Sequence, residues 1–501
     1  MARCVASIRW AAGSRPSRSD LRGPRVTVDN VGPSVCHRDR WTWGHGKAWR
    51  RPLDRRAGST DSDFGCGCPD RGRSLEPCKI PTMTRAESGW RSRVGPLQER
   101  DFRILFGARS LASIGTSMTP IAITFAVLEG LGSAASLGAV LAGGTVVEIV
   151  LVLIGGASSD RIPRRTVVIV SDVTRALALL CTGALLLTRH GSIWELAIAY
   201  AVIGASTAFF HPAMTGLIPE TVSSQHLQAA NALGGLYVSL SSVIGPALAG
   251  LAMALGSPGW AVLGAGVTYA VSSVLLLRMS AGRTPAAAPS PLLHQLRAGW
   301  KEFSSRSWLW SVVGQAAPWH MIVWAPFFVA GPVLVLAHLG GASTWAWMQS
   351  LGGAGAILGS ILGLRLRPRR PLIVALAGML GFVPVLVVLS AQAPVAAILI
   401  VSPLIGLGPA LFTVIWDTSI QRDVPSHVLS QVSSYDYFGS AAILPIGYAV
   451  AGPLVLAVGP RAMLWGAAVA ALLLPLANLM VRGVRRFPAA SAEPILDPET
   501  S

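Results

Sequence analysis

The sequence predicts an all-α membrane protein with twelve transmembrane helices in two six-helix bundles. Three observations carry that prediction. The chain is 52% hydrophobic and only 13% charged, with a mean hydropathy of +0.54, where a soluble globular chain is usually nearer a quarter charged. About twelve apolar runs follow one another from Ile104 onward, each near the ~20 residues needed to cross a hydrocarbon core. The loops between these runs alternate between arginine-rich and arginine-poor.

Residues 1–95 come first and are rich in Arg, Gly, Pro and Ser, without apolar periodicity. They read as a disordered basic segment and lack the continuous apolar core of a signal peptide. Met83 opens Met-Thr-Arg-Ala-Glu-Ser just before the first apolar run, which makes it an alternative start and residues 1–82 a possible non-native extension. Five of the six cysteines (Cys4, Cys36, Cys66, Cys68, Cys78) lie in this segment, and Cys181 lies in the hydrophobic part. Their spacing matches no common zinc finger, so neither a metal, a cofactor nor a disulfide framework is expected.

The apolar runs lie near 104–128, 135–157, 166–187, 194–215, 229–254, 260–279, 309–336, 345–364, 371–390, 395–416, 432–457 and 461–481. Lipid offers no partner to an exposed backbone group, so each run should be a helix. Their many Gly, Ala and Ser residues allow close helix contact. The first six form an N-terminal bundle over 100–279 and the last six a C-terminal bundle over 308–482. A linker over 280–307 carries Pro285, Pro289 and Pro291, and a tail covers 483–501.

The formal charge of +17 and pI of about 10.8 could suggest a nucleic-acid partner. The distribution excludes that reading, because 19 of the 41 Lys and Arg precede residue 95 and most others fill short loops. One set of loops holds about 20 positive charges, among them Arg100, Arg103, Arg161, Arg164, Arg165, Arg367, Arg369 and Arg370; the opposite set holds little beyond Arg189 and Arg461. By the positive-inside rule both termini face the cytoplasm of a cell (inner) membrane.

The two halves match at an offset of about 202 residues: Val222, Leu227, Gly245 and Gly250 fall on Val424, Leu429, Gly447 and Gly452. The basic turn Arg161-Ile-Pro-Arg-Arg165 has a counterpart in Arg367-Pro-Arg-Arg370. Two parallel halves around a central cavity are the architecture of many secondary transporters.

The loop after the second run reads Gly156-Ala-Ser-Ser-Asp160-Arg161-Ile-Pro-Arg164-Arg165. It resembles the signature between helices 2 and 3 of the major facilitator superfamily, and the likeness runs from about residue 100 to 485. The resemblance implies that Gly156, Asp160, Arg161, Arg164 and Arg165 govern the switch between outward-open and inward-open states; the plainer alternative is that the arginines only fix topology. Gly245-Pro246-Ala-Leu-Ala-Gly250 in the fifth run looks like part of the Gly-Pro motif of proton-coupled antiporters in this superfamily, which implies export. Phe209-Phe210-His211-Pro212-Ala213 and Ala230-Asn231-Ala232-Leu233 resemble the branch with macrolide and siderophore exporters. Ordinary helix packing is the competing reading of both stretches. The resemblance also implies that runs 1, 4, 7 and 10 line the cavity.

Charges inside a membrane are costly and therefore functional candidates. Glu148 sits well inside the second run, placed to take up and release protons, with Arg109 of the first run as a possible partner or a snorkelling group. Asp172 and Arg175 lie three residues apart on one helical face and could pair with each other. Asp417 and Asp436 are expected near the interface. Related exporters often carry an acidic residue after the Gly of the first helix, whereas Thr116, Ser117 and Met118 follow Gly115 here. In the seventh run, Trp308 and Trp310 suit an interfacial belt; Gln315, Trp319, His320 and Trp324 are cavity candidates that could stack on a flat apolar solute, or they face lipid.

The expected partners are a small-molecule solute, protons and the lipid bilayer, with a monomer as the working unit. The leading class is a secondary transporter exporting a drug-, antibiotic- or siderophore-like amphipathic compound against protons. A nutrient importer of the same fold and a non-transporting membrane sensor are the alternatives. No His-Glu-x-x-His, nucleophile elbow or convergent carboxylate pair suggests an enzyme. Gly44-His-Gly46-Lys47-Ala48 lacks the spacing of a nucleotide-binding loop.

Overall fold

A computed structural model describes residues 95–158, 162–280, 292–425 and 428–487. The basic segment with its cysteines, most of the linker and the tail lie outside the described residues. Among those residues, twelve helices are long and apolar enough to cross a membrane. In chain order these are α1 (Arg100–Leu131), α2 (Ala134–Ser158), α3 (Arg164–Leu187), α4 (Ile193–Thr221), α5 (Leu227–Met253) and α6 (Pro258–Leu276). The second six are α7 (Ser307–His338), α8 (Gly341–Arg365), α9 (Pro371–Ser390), α10 (Val395–Asp423), α11 (Val432–Val458) and α12 (Pro460–Asn478). They coincide with the twelve apolar runs to within about four residues, except that α4 and α10 continue six and seven residues past the expected ends at 215 and 416.

Local chemistry sets the helix ends. Ser192 and Glu195 form a capping box that opens α4, and Ser257 caps α6 by accepting from the Gly259 N–H at 3.1 Å. Gly340 (φ 88°) and Gly459 (φ 83°) turn the chain before α8 and α12, in a backbone region that side-chain-bearing residues rarely adopt. The helix Leu292–Ser305 precedes α7 and rests against α11, with Trp300 and Phe303 stacked near Tyr435 at centroid distances of 5.4 and 5.9 Å.

Packing between the halves is uneven. At the arginine-poor end one continuous core joins both, running from Ile121, Phe125 and Leu137 of the first half to Phe327, Trp345, Phe382 and Tyr448 of the second. At the arginine-rich end the core divides. Leu105, Val168 and Leu217 belong to one cluster, and Leu309, Leu376 and Trp416 belong to another.

The repeated glycines explain the tight end. A Cβ at Gly250 of α5 would lie 2.7 Å from Ala346 Cβ of α8, and one at Gly452 of α11 would lie 2.5 Å from Ala135 Cα of α2. Both positions therefore sit where one half touches the other. The other glycine pair of the repeat, Gly245 and Gly447, presses α5 on Ser117 of α1 and α11 on Met321 of α7. Small residues at these four points let backbones approach closely in lipid, where helix association relies on packing. Ser350 of α8 adds a cross-half hydrogen bond, donating to the Val243 carbonyl at 2.7 Å.

Candidate functional site: two cavities and a buried charge network

The larger cavity, about 490 Å³, belongs to the first half. Every helix of that half contributes to it: Arg109 and Thr116 from α1, Glu148 from α2, Arg175 from α3, Tyr200, Thr207, Phe210 and His211 from α4, Tyr237 from α5, and Tyr269 from α6.

Its charges are held as follows. Asp172, fully buried, accepts from Arg109 Nη1 through both carboxylate oxygens at 3.1 and 2.9 Å and from Ser272 Oγ at 2.7 Å. The Arg109 guanidinium lies 4.3 Å from the Phe210 ring centroid, within cation–π range. Arg175 turns instead toward α4, where its Nη2 donates to Thr207 Oγ1 at 3.0 Å. Thr116 and Tyr269 share a hydrogen bond of 2.8 Å on the cavity wall.

This arrangement corrects two expectations. Asp172 pairs with Arg109, 63 positions away, and not with Arg175 one turn on. Arg109 is consequently engaged and is not the partner of Glu148. The bond that Glu148 makes crosses to the other half, where Tyr437 of α11 donates to its Oε1 at 3.4 Å.

The second cavity, about 190 Å³, lies between α7, α9 and α10 and contains all four aromatic-run candidates, Gln315, Trp319, His320 and Trp324. Here α7 forms a π-helical turn over His320–Trp324, a feature that often marks functional positions. His320 Nδ1 lies 2.8 Å from the Ala316 carbonyl, and Gln315 Oε1 accepts from Asn478 Nδ2 at 2.6 Å. Trp319 and Trp324 pack on Phe382 at 6.1 and 6.0 Å. Helices α1 and α4 thus line one cavity and α7 and α10 the other.

Trp308 is a third correction. It is buried, packs on Phe487 at 4.6 Å and donates from Nε1 to Asp423 at 3.2 Å, so it closes the arginine-rich end of the second half. Trp310 is half exposed. Asp417 is exposed, while Asp436 is partly buried and accepts from Trp416 Nε1 at 3.1 Å.

At the start of α3, Arg164 Nη1 donates to the Gly216 carbonyl at 2.9 Å and to Glu220 at 3.0 Å. Arg165 donates to the Leu276 and Leu277 carbonyls at 3.2 and 2.8 Å. Both arginines therefore donate to carbonyls near the C-terminal ends of α4 and α6, where a cation complements the helix dipole. Gly156 lies in the last turn of α2; Asp160 and Arg161 lie outside the described residues.

Sequence reasoning missed Tyr200, Tyr237 and Tyr269, one each on α4, α5 and α6. The available signal was scarcity: the chain has six tyrosines, and these three fall in mid-run.

The family model described as Major Facilitator Superfamily matches residues 105–445. Over 403 residues the chain is 27% identical to the multidrug efflux pump Tap of Mycolicibacterium fortuitum, spanning 77% of this chain and 97% of that protein. The enterobactin exporter EntS of Shigella boydii is 29% identical over 205 residues, which is 39% of this chain and 46% of that one. Among solved structures, a POT family transporter in complex with 5-aminolevulinic acid superposes with a TM-score of 0.62 at 13% identity, covering 76% of this chain and 96% of that one. The nucleoside transporter NupG gives 0.60 at 11% identity, covering 76% and 98%. At such identities the solved structures speak for the fold alone, whereas the family match speaks for descent. The chain belongs to the Major Facilitator Superfamily and is a multi-pass membrane transporter, not an enzyme.

Proposed function

We propose that the chain exports small amphipathic compounds of the drug, antibiotic or siderophore-like kind in exchange for protons, by alternating access, from an inner membrane with both termini in the cytoplasm. The observation that carries this reading is Glu148, a membrane-depth carboxylate that lines the larger cavity and also touches Tyr437 of the opposite half. One group then senses both the cavity contents and the relation of the halves. The efflux activity named for the Tap and EntS relatives supports the direction.

In this reading the arginine-rich end faces the cytoplasm. The continuous core at the other end makes the described state inward-open. The moving bodies are 100–279 and 308–482, joined by 280–307, and they rock about the glycine contacts of α2 with α11 and of α5 with α8. Arg164 and Arg165 tie the ends of α4 and α6 to α3, so that the first half moves as a unit; with Gly156, Asp160 and Arg161 they form the switch. Gly245, Pro246 and Gly250 set how closely α5 meets α1 and α8. The Arg109–Asp172 pair and Arg175 hold the charge balance against which Glu148 changes protonation. Gln315, Trp319, His320 and Trp324 give the solute an aromatic wall on the second half. One chain lines both cavities, so a monomer suffices.

The test is a susceptibility and metabolite-export screen comparing deletion and overexpression strains, with an uncoupler arm and a Glu148→Gln arm. Overexpression should raise export and tolerance, and either the uncoupler or the substitution should abolish the gain. Export that persists in the Glu148→Gln strain would exclude Glu148 as the coupling group.

A further inference from the structure

The buried charges of the larger cavity are unequally satisfied. Arg109 is held by both oxygens of Asp172. Arg175 is equally buried, at 3% exposure, and like Arg109 it has an Nε without a hydrogen-bond partner, but no ion pair within 4.0 Å involves it among the described residues. It donates to Thr207 and lies 5.1 and 5.5 Å from the ring centroids of Phe210 and Tyr269, with Glu148 and His211 within electrostatic reach but not in contact as ion pairs. A buried guanidinium without a counter-ion is costly unless something else completes it. On the same cavity, Glu148 has the single 3.4 Å bond from Tyr437, long for an O–H donor. Beside Arg109, which Asp172 neutralises, the cavity thus presents one guanidinium without an ion-pair partner and one weakly bonded carboxylate, not paired with each other, beside aromatic walls.

We infer that the transported solute is zwitterionic or amphoteric and carries both groups on a flat aromatic body, with its anionic group on Arg175 and its cationic group on Glu148. A purely cationic solute would engage Glu148 and leave Arg175 buried without a counter-ion; a purely anionic one would do the reverse. The volume of about 490 Å³ suits a drug-sized molecule. This inference rests on the cavity being the transport site and names the class of solute it takes. It also fits proton exchange: a proton arriving on Glu148 neutralises the seat of the cationic group and releases that end first.

The test uses the purified full chain in lipid nanodiscs at neutral pH, without a proton gradient, and three related xanthene dyes followed by fluorescence polarisation. Rhodamine 110 is zwitterionic, rhodamine 123 is its cationic methyl ester and fluorescein is anionic. Rhodamine 110 should bind at least about tenfold more tightly than either other dye. Arg175→Gln should weaken rhodamine 110 to the level of rhodamine 123 and leave rhodamine 123 within about twofold, while Arg175→Lys should recover part of the loss. Glu148→Gln should bring rhodamine 110 to the level of fluorescein. The wild-type ranking needs no variant to fold. Equal binding of rhodamine 110 and rhodamine 123, no binding of rhodamine 110, or an Arg175→Gln loss shared by all three dyes overturns the inference. A chain that ranks the dyes as expected yet moves no protons would retain this inference and refute proton exchange, and the converse result would do the opposite.

Discussion

Replacing Asp172 by Asn removes one negative charge from the most buried ion pair and little else. Asn keeps the shape and one acceptor, so Ser272 Oγ, now at 2.7 Å, retains a partner, and Arg109 retains one of its contacts at 3.1 and 2.9 Å. What is lost is the counter-charge of a guanidinium that is 3% exposed. Breaking a buried pair from one side costs about 3–5 kcal/mol in soluble proteins, whereas hydrogen bonds between membrane helices average only about 0.6 kcal/mol. The charge decides between these ranges, because Asn can keep the Ser272 bond and one of the two from Arg109 but supplies no counter-ion. Arg109 keeps its place over Phe210 at 4.3 Å and borders a cavity, which argues for the lower end. We therefore expect a loss of about 3 kcal/mol, equal to about 150-fold in the folding equilibrium. Reversible unfolding in mixed micelles measures it. Pairing Asp172→Asn with Arg109→Gln removes both charges and should return stability to within about 1 kcal/mol of wild type. A single variant within about 0.5 kcal/mol of wild type, or a double variant no better than the worse single one, would refute the reasoning.

Leucine at Gly452 should collide with Ala135 and the Ala134 carbonyl, where a Cβ alone would already lie 2.5 and 2.6 Å away. Overpacking of about 1–3 kcal/mol should open the arginine-poor end, read as a longer spin-label distance between α2 and α11; Gly466→Ala, which meets open space, should change nothing. Arg164→Gln removes a partly exposed ion pair, so it should cost under about 1 kcal/mol in thermal stability. It should nevertheless slow efflux by about fivefold or more if α4 must be tied to α3 during switching, measured as initial rates normalised to expression. Glu99, just before α1, accepts from His226 Nδ1 at 2.9 Å and from the Ser223 N–H at 3.0 Å, and these bonds hold its carboxyl below the ordinary carboxylate range. A depressed folded value stabilises the fold above the unfolded pKa of about 4.3 and ceases to do so as pH falls through the lower folded value. Glu99→Gln should therefore lower Tm at pH 7, and the gap between variant and wild type should close in acid below that range.

The spans were legible because lipid imposes one rule on all of them, and composition alone reports it. The glycine repeat was legible for a related reason: Gly250 and Gly452 occupy equivalent places because each half uses the same surface against the other. The cavity was less so. Asp172 and Arg175 share a helical face, and spacing favours a local pair; which of them meets Arg109 depends on the rotation of α3 against α1, which no local pattern encodes. Trp308 looked like a belt residue because aromatic character near a helix end is the same whether the ring points to lipid or inward; Asp423, at the far end of α10, settles its direction. The larger cavity stayed hidden because each helix contributes only a few of its side chains.

The central claim is that solute and proton move in opposite directions through one chain. Purified protein in sealed proteoliposomes with a lumenal pH-sensitive dye, and the solute added outside after an imposed acid-inside gradient, tests it most directly. The account predicts that solute accumulates in the lumen while lumenal pH rises, and that both signals vanish together with Glu148→Gln. Solute accumulation at the same rate with the gradient collapsed, or with lumenal pH unchanged, would contradict it.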